Sequence, residues 1–292
     1  MVDVIIIGAG PAGISAALYA KRANKSVLVL YHGESQLEKA HKIDNYYGFA
    51  GGITGTDLYQ SGIEQAKQLG VEVLEQEVLH ITMTAELNYE VKTSFDTFTG
   101  RTLILATGNK KVKPNIKGVD TFDGRGISYC AVCDGFFYRK KTVAVIGSGE
   151  YALSEAGDLE NIVGRLVLLT NGETAPDTDK YEVITKRITE IKGDKKVNAV
   201  VFDDGEELAL DGIFVALGIA GGADFAKKLG IALDGDNIKV KEDMSTNVPG
   251  LYSCGNITGG LLQVCKAVYE GAQAGLSAVN YLKSKEKKDG SH

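Results

Sequence analysis

The chain opens on an unbroken apolar run, Val4 to Ile7 within Val2 to Ile7, and a second follows at Val27 to Leu30. Short apolar runs bounded by glycine read as strands buried on both faces, the signature of a parallel sheet. Between them, Ile14 to Lys21 reads as a helix, so strand, helix and strand form a βαβ unit. The same order returns at mid-chain: Val143 to Ile146, a glycine turn, a helix, and the strand Leu166 to Leu169. Leu103 to Leu105 predicts another buried strand that ends in Ala106-Thr107-Gly108, and Gly212 to Leu217 predicts one closed by Gly218. A last segment, Thr246 to Gly255, leads through a glycine-rich turn to a final helix over Val264 to Lys283. Two separate βαβ units predict an α/β protein of two domains. The Lys-rich stretch Asn109 to Lys117 reads as a linker, and the charged tail Lys283 to His292 is expected to fray.

Composition narrows the class. With 292 residues, 36 glycines and only 4 prolines, the chain suits an α/β protein with many tight strand–helix turns. Its net charge of -6 argues against a general affinity for nucleic acid or anionic membrane. No apolar run reaches the roughly 18 residues of a membrane span, and no basic region with a cleavage site precedes the first strand. A cytoplasmic location is therefore expected. Four cysteines in a chain this long do not make a disulfide scaffold, so a C-x-x-C pair points to redox chemistry or metal.

The first glycine turn is Gly8-Ala9-Gly10-Pro11-Ala12-Gly13, set between a strand and a helix. A nucleotide diphosphate needs close approach to backbone N–H groups at the positive end of a helix. Gly8 permits the tight turn, Gly10 the approach of the pyrophosphate, and Gly13 the close packing of helix on strand. The alternative is an ordinary βα turn. No Asp or Glu ends the second strand, where Tyr31-His32 stand instead, so a ribose there must meet other groups.

Cys130-Ala131-Val132-Cys133-Asp134-Gly135 carries the chemistry. Two cysteines three apart can close a small disulfide ring, and a helix N-terminus beside them lowers a thiol pKa. Half a zinc site or two buried thiols are the alternatives. Zinc needs further ligands, and no second C-x-x-C or H-x-x-x-H exists, so no metal is expected. Asp134 is a candidate general acid for the leaving thiolate; its other reading is a helix N-terminal charge. Cys254 and Cys265 read as small core residues.

These motifs, together with Ile43-Asp44-Asn45-Tyr46-Tyr47-Gly48-Phe49 and Thr246-Asn247-Val248-Pro249-Gly250-Leu251-Tyr252-Ser253-Cys254-Gly255-Asn256, resemble the low-molecular-weight thioredoxin reductases in their order. The resemblance covers nearly the whole chain. It implies two Rossmann-like three-layer nucleotide-binding domains, the second inserted in the first. Residues 1–109 and 244–292 would form a discontinuous FAD-binding domain, and 110–243 a dithiol domain. It also implies a homodimer, a rotation of one domain against the other, and thioredoxin or a thioredoxin-like protein as substrate. By resemblance Gly8, Gly10 and Gly13 face the FAD pyrophosphate, and Gln36 and Leu37 lie near the adenosine and flavin loop. Asn45 matches a flavin-contacting Asn, Thr107 and Gly108 lie along the cofactor, and Gln263 and Val264 match the family's Gln-Val. Gly255 and Asn256 stand where the family has Gly-Asp, and Leu262 where it has Arg. The first cysteine would attack the substrate and the second would lie nearer the flavin.

The pattern breaks in the second domain. Members that use NADPH carry arginines after that domain's second strand, to hold a 2′-phosphate. Here Leu169 is followed by Thr170-Asn171-Gly172-Glu173-Thr174-Ala175-Pro176-Asp177, without arginine and with two acids. Glu150 adds a negative charge inside the second glycine turn, and Tyr151 adds bulk. The domain reads as a degenerate form of an NADPH-binding one, and NADPH held in the usual manner is not expected. The missing arginines resemble the ferredoxin-dependent flavin type. A plant-type ferredoxin near −400 mV lies about 130 mV below thioredoxin, roughly 6 kcal/mol per two electrons, so the transfer is downhill. Lys110, Lys111, Lys113 and Lys117, or Arg139, Lys140 and Lys141, are candidate landing sites for an acidic donor. The alternatives are a reductase that binds NADH or NADPH in an altered way and a redox-sensing flavoprotein.

Overall fold

The computed structural model describes residues 1–108, 114–218, 221–235 and 237–289. The chain divides into two compact units, one of Met1–Lys110 with Gly221–His292, the other of Lys111–Ala220. It returns to the first unit at Gly221, where the domain reading had placed the return at 244. The intervening residues form a helix and a small hairpin that contact elements of the first unit.

In chain order the first unit begins with β1 (Val2–Ile7), α1 (Pro11–Arg22) and β2 (Val27–Tyr31), and goes on to α2 (Gly55–Gln68) and β3 (Glu72–Glu75). Then come β4 (Val78–Met83), β5 (Tyr89–Thr93) and β6 (Thr97–Leu105). The second unit holds α3 (Val119–Phe122), β7 (Ile127–Ser128), α4 (Ala131–Asp134), β8 (Thr142–Ile146), α5 (Glu150–Leu159), β9 (Arg165–Leu169) and β10 (Glu182–Ile184). It continues with β11 (Ile188–Gly193), β12 (Val197–Phe202), β13 (Glu207–Ala209) and β14 (Gly212–Val215). Back in the first unit lie α6 (Gly222–Lys228), β15 (Leu233–Asp234), β16 (Asn237–Ile238), β17 (Leu251–Ser253) and α7 (Val264–Asp289).

The first unit is built on a sheet ordered β3-β2-β1-β6-β5-β4, with β17 also on β6. β6 pairs with β1 along one side and divides its other side between two partners. Its first half, Thr97 to Gly100, pairs antiparallel with β5, and its second half, Leu103 to Leu105, pairs parallel with β17. The alternation buried–exposed along β5, Tyr89-Glu90-Val91-Lys92-Thr93, is that of a strand with one covered face. β1 reads instead as a continuous buried run. In the second unit a parallel sheet, β10-β9-β8-β14-β7, is joined by an antiparallel one, β11-β12-β13. Both units are Rossmann-like, as the strand–glycine–helix pattern predicts.

The first unit is closed by α7 lying along α1. Ala12, Ala16 and Ala20 of α1 are buried, and Gly271, Ala274, Gly275 and Ala278 of α7 meet them. A Cβ at Gly271 would overlap the carbonyl oxygen of Ala12, and one at Gly275 that of Ala16. Ser15 Oγ donates to Val268 O at 2.7 Å across the same contact. α7 does not fray where the charged tail begins, but runs to Asp289. One of its tail charges is paired twice. Glu286 accepts from Lys25 and Arg101, each at 2.9 Å, and Arg101 also meets Asp3 at 3.1 Å, so the end of the chain is bound to its beginning.

Gly271→Ala tests this contact. Alanine gains about 1 kcal/mol of helix propensity, whereas an inserted methyl in a tight contact costs about 1–3 kcal/mol, and a backbone oxygen has little room to yield. The clash should win, and the denaturant midpoint of the variant should fall relative to wild type.

Candidate active site

The functional groups form two constellations, one in each unit. In the first, the expected cofactor residues gather at the carboxyl ends of the adjacent parallel strands β2, β1, β6 and β17. That edge is where open α/β sheets bind ligands. Gly8 follows β1 with φ +110, a conformation favouring glycine, and a Cβ there would overlap the Ala106 carbonyl. A Cβ at Gly13 would overlap the Gly8 carbonyl, while one at Gly10 would meet nothing within 4 Å. The fold therefore needs glycine at 8 and 13, and leaves space at 10. Gly10 caps α1 without a side-chain bond, Pro11 opens the helix, and its first turn holds no acid. Free N–H groups and open space at one helix end are what a diphosphate requires.

Thr107 and Gly108 follow β6, and Thr107 Oγ1 lies against the Cα of Gly222. Gln36 and Leu37 lie in a short 3-10 turn that Ser35 and Glu38 cap reciprocally. Asn45 is hydrogen-bonded to Gln263, Nδ2 to Oε1 at 3.0 Å, so two residues 218 apart meet. Val264 opens α7 directly after them. Gly255 follows β17 with φ +84, and a Cβ there would lie 2.8 Å from that of Ala12. Asn256 begins the turn Asn256–Thr258.

Sequence reading missed the groups that hold this turn. Glu270 Oε2 accepts from Gly255 N at 2.8 Å and from Thr258 Oγ1 at 2.9 Å. Lys266 Nζ donates to Gly255 O at 2.8 Å and Gly259 O at 2.6 Å, and pairs with Glu270 at 2.9 Å. The available signal was their i,i+4 spacing on a helix. At the end of β2, Tyr31 lies in register with Glu75 of β3. Burial, then the Glu75 and Glu38 carboxylates, push its phenol up. Acids thus stand beside this strand end, although its own sequence has none.

In the second unit Cys130 and Cys133 form a disulfide, with Cα atoms 5.3 Å apart. Cys130 caps α4 and is 1% exposed; Cys133 is exposed. Cys133 N donates to Cys130 Sγ at 3.2 Å. Asp134 does not bond a sulfur directly: its Oδ2 accepts from Ser128 Oγ at 2.6 Å, and Ser128 Oγ accepts the N–H of Cys130 at 3.1 Å. The N–H of Ala131 goes to Glu155 Oε2 on α5 at 2.8 Å. Neither Ser128 nor Glu155 was found by sequence reading, because only the fold brings β7 and α5 to the dithiol. Cys254 and Cys265 are free cysteines; Cys254 is buried in the core as expected, and burial pushes its thiol up, whereas Cys265, also expected in the core, is exposed near the start of α7. Among the described residues no group of three or more His, Cys, Asp or Glu could hold a metal. Nor is any helix there long and apolar enough to cross a membrane.

Val132, Phe136 and Phe137 stand out around the disulfide, 52%, 65% and 71% exposed. Arg139 lies over the Phe136 ring at 5.0 Å, and Lys141 Nζ donates to Phe137 O at 2.9 Å. Lys117 pairs with Glu190 at 2.9 Å, while Lys110, Lys111 and Lys113 lie outside the described residues. At the second glycine turn Gly147 packs against Ala216, Glu150 is exposed in the first turn of α5, and Tyr151 is buried. The loop after β9 is bonded to the segment after β10, Gly172 N to Thr185 O at 3.0 Å and Ile188 N to Asn171 Oδ1 at 2.8 Å. This brings in a cation absent from the loop itself. Arg187 comes within 3.7 Å of where a Gly172 Cβ would be.

Residues 2–271 match the pyridine nucleotide-disulphide oxidoreductases. A thioredoxin reductase of Aquifex aeolicus is 33% identical over 305 residues, covering 98% of this chain and 94% of that protein. The chain belongs to that oxidoreductase family, among the thioredoxin reductases. Its fold agrees. The atypical thioredoxin reductase TRi of Desulfovibrio vulgaris Hildenborough superposes with a TM-score of 0.90 at 34% identity, covering 97% of this chain and 99% of that one. A ferredoxin-flavin thioredoxin reductase of Clostridium acetobutylicum gives 0.72 at 35% identity, covering 97% and 98%. Family membership implies FAD, and the open space at Gly10 with the acid-free helix end beside it fits the diphosphate of such a cofactor.

Substituting the two glycines separates cofactor space from packing. Gly10→Ala should leave the fold's stability unchanged yet weaken FAD binding about tenfold or more, about 1.4 kcal/mol. Gly13→Ala should destabilise the fold itself by about 1–3 kcal/mol. Thermal melts and flavin titration of the apoproteins check both.

Proposed function

We propose that this thioredoxin reductase passes electrons from FAD through the Cys130/Cys133 dithiol to the disulfide of thioredoxin or a thioredoxin-like protein, with reduced ferredoxin as the donor. The observation that carries the donor assignment is the contrast between the two helix ends. The first turn of α1 is free of acid, whereas α5 starts at Glu150, and Glu173 and Asp177 are exposed in the loop after β9. A dinucleotide phosphate is repelled at the second and accommodated at the first. FAD, when bound, supplies a two-electron store that can be filled one electron at a time.

At the dithiol the balance is simple. Two electrons break the Cys130–Cys133 bond, and protons taken up at the sulfurs leave two thiols or a thiol and a thiolate. Attack of one sulfur on the partner's disulfide, and then of the second on the mixed disulfide, restores the bond and releases the partner's dithiol. Following the resemblance, Cys130 attacks the partner; it is buried in the oxidised form, so its sulfur has to be uncovered first. Asp134, joined to Cys130 through Ser128, is placed to move a proton for the leaving thiolate. The exposed Val132, Phe136 and Phe137 beside Cys133, braced by Arg139 and Lys141, suit a protein partner. This assigns Arg139 and Lys141 to the disulfide partner and leaves the 110–113 lysines for the donor. A homodimer accords with exposed Leu261 and Leu262 just before α7 and exposed Tyr269 and Leu276 along it.

Arg187 beside Gly172 supports a second reading, in which a nicotinamide nucleotide binds with its ribose phosphate on this later cation. Anaerobic stopped-flow mixing with NADPH, NADH and reduced ferredoxin separates the two. Ferredoxin should bleach the flavin fast and both nucleotides slowly. Rapid bleaching by NADPH, lost in Arg187→Ala, would favour the second reading. Cys133→Ser should abolish thioredoxin turnover and keep FAD bound. Loss of the yellow cofactor in that variant would speak against separate flavin and dithiol sites.

A further inference from the structure

The carboxylate of Glu155 lies in the interior of the second unit. The residue is 1% exposed, and its Oε2 accepts the N–H of Ala131, the residue after Cys130, at 2.8 Å. The opening turn of a helix normally offers its unpaired N–H groups to a neighbouring thiolate, which eases thiol ionisation. Here that supply is reduced. Glu155 takes the first helical N–H, Ser128 takes the N–H of Cys130, and Cys133 N is the donor left to Cys130 Sγ. An ionised Glu155 would also set a negative charge on the turn that carries the sulfur, in a low-dielectric interior where charges interact far more strongly than in water. Both effects oppose a thiolate on Cys130.

Other ionisable groups lie on the dithiol helix and on the elements packed against it. Asp134 belongs to α4 itself, Tyr138 to the turn that follows, and α5 carries Glu150 and Asp158 besides Glu155. The Asp134 carboxylate is bonded to Ser128, and that of Glu155 to the backbone N–H of the dithiol turn.

We propose that Glu155 is a positioning residue that anchors the opening turn of the dithiol helix and, through its charge, keeps the Cys130/Cys133 pair strongly reducing. The proposal rests on reading that pair as the exchange centre, but its test needs neither ferredoxin nor thioredoxin. In the test reaction dithiothreitol is oxidised to its own cyclic disulfide, and its two electrons break the Cys130–Cys133 bond. Below the thiol pKa two protons are taken up and the product is neutral. Above it one proton is taken up, and the product carries the thiolate that Glu155 opposes.

The full-length flavoprotein would be equilibrated anaerobically with oxidised and reduced dithiothreitol from about pH 6 to about pH 9, a range spanning ordinary thiol titration. Dithiol content would be read by the mass gained on alkylation. Glu155→Gln keeps an acceptor for Ala131 and removes the charge. Its equilibrium constant should move about tenfold toward the dithiol at the alkaline end, about 30 mV, and converge on wild type at the acidic end. Glu155→Met, an apolar replacement of similar volume, should shift in the same direction and serves if the Gln variant folds poorly. Superposable wild-type and variant curves at every pH would overturn the proposal. So would a shift of equal size at all pH values, since a purely structural anchor has no reason to follow thiol ionisation.

Discussion

The close contact between α1 and α7 is the constraint on which the first unit depends. It exists because Gly271 and Gly275 present no side chain to the backbone oxygens of Ala12 and Ala16. The helices come from opposite ends of the chain, and their approach sets Gly255 against Ala12. Once they meet, the turn after β1, the turn after β17 and the start of α7 line one edge of one sheet. The Asn45–Gln263 bond ties the loop before α2 to the residue that precedes α7. The ion pairs joining Glu286 to Lys25 and Arg101 fasten the far end of α7. Each is partly exposed and screened by water, so they supplement the helix contact.

A second consequence concerns the division of labour between two similar βα turns. Both begin with a strand, a glycine turn and a helix, and both pack their first glycine against a neighbouring strand end, Gly8 on Ala106 and Gly147 on Ala216. They differ in what the helix end offers. α1 opens with Pro11 and no acid, and α5 opens with Glu150. α5 also turns inward, giving Glu155 to the dithiol turn. The element that would serve a nucleotide in the second unit thus also supports the disulfide, and changes to it bear on redox chemistry as well as on nucleotide binding.

Much of this was legible along the chain. The apolar runs Val4–Ile7, Val27–Leu30, Val143–Ile146 and Leu166–Leu169 lie within strands, because uninterrupted apolar sequence between glycine turns has few other uses. The dithiol motif is local: cysteines three apart on one helical turn can close a disulfide. Less legible were β4, β5, β11, β12 and β13, whose mixed polar sequence makes sense only once one face is covered. The tail after Lys283 reads as frayed by composition, yet it is helical because Glu286 finds Lys25 and Arg101. The cation near Gly172 is not legible along the chain for a similar reason, since Arg187 reaches the loop from the next strand's far end.

Sequence by itself determined the two βαβ units, the glycines that permit their turns, and the cysteine pair, all features whose cause lies within a few residues. Tertiary structure alone decided which distant groups surround them. Lys266 and Glu270 clamp the Gly255 turn, Ser128 links Asp134 to Cys130, and Glu155 holds the N–H of Ala131. The physical reason is that a hydrogen bond or a buried charge depends on distance in space, and spacing along the chain sets that distance only within one turn of one element.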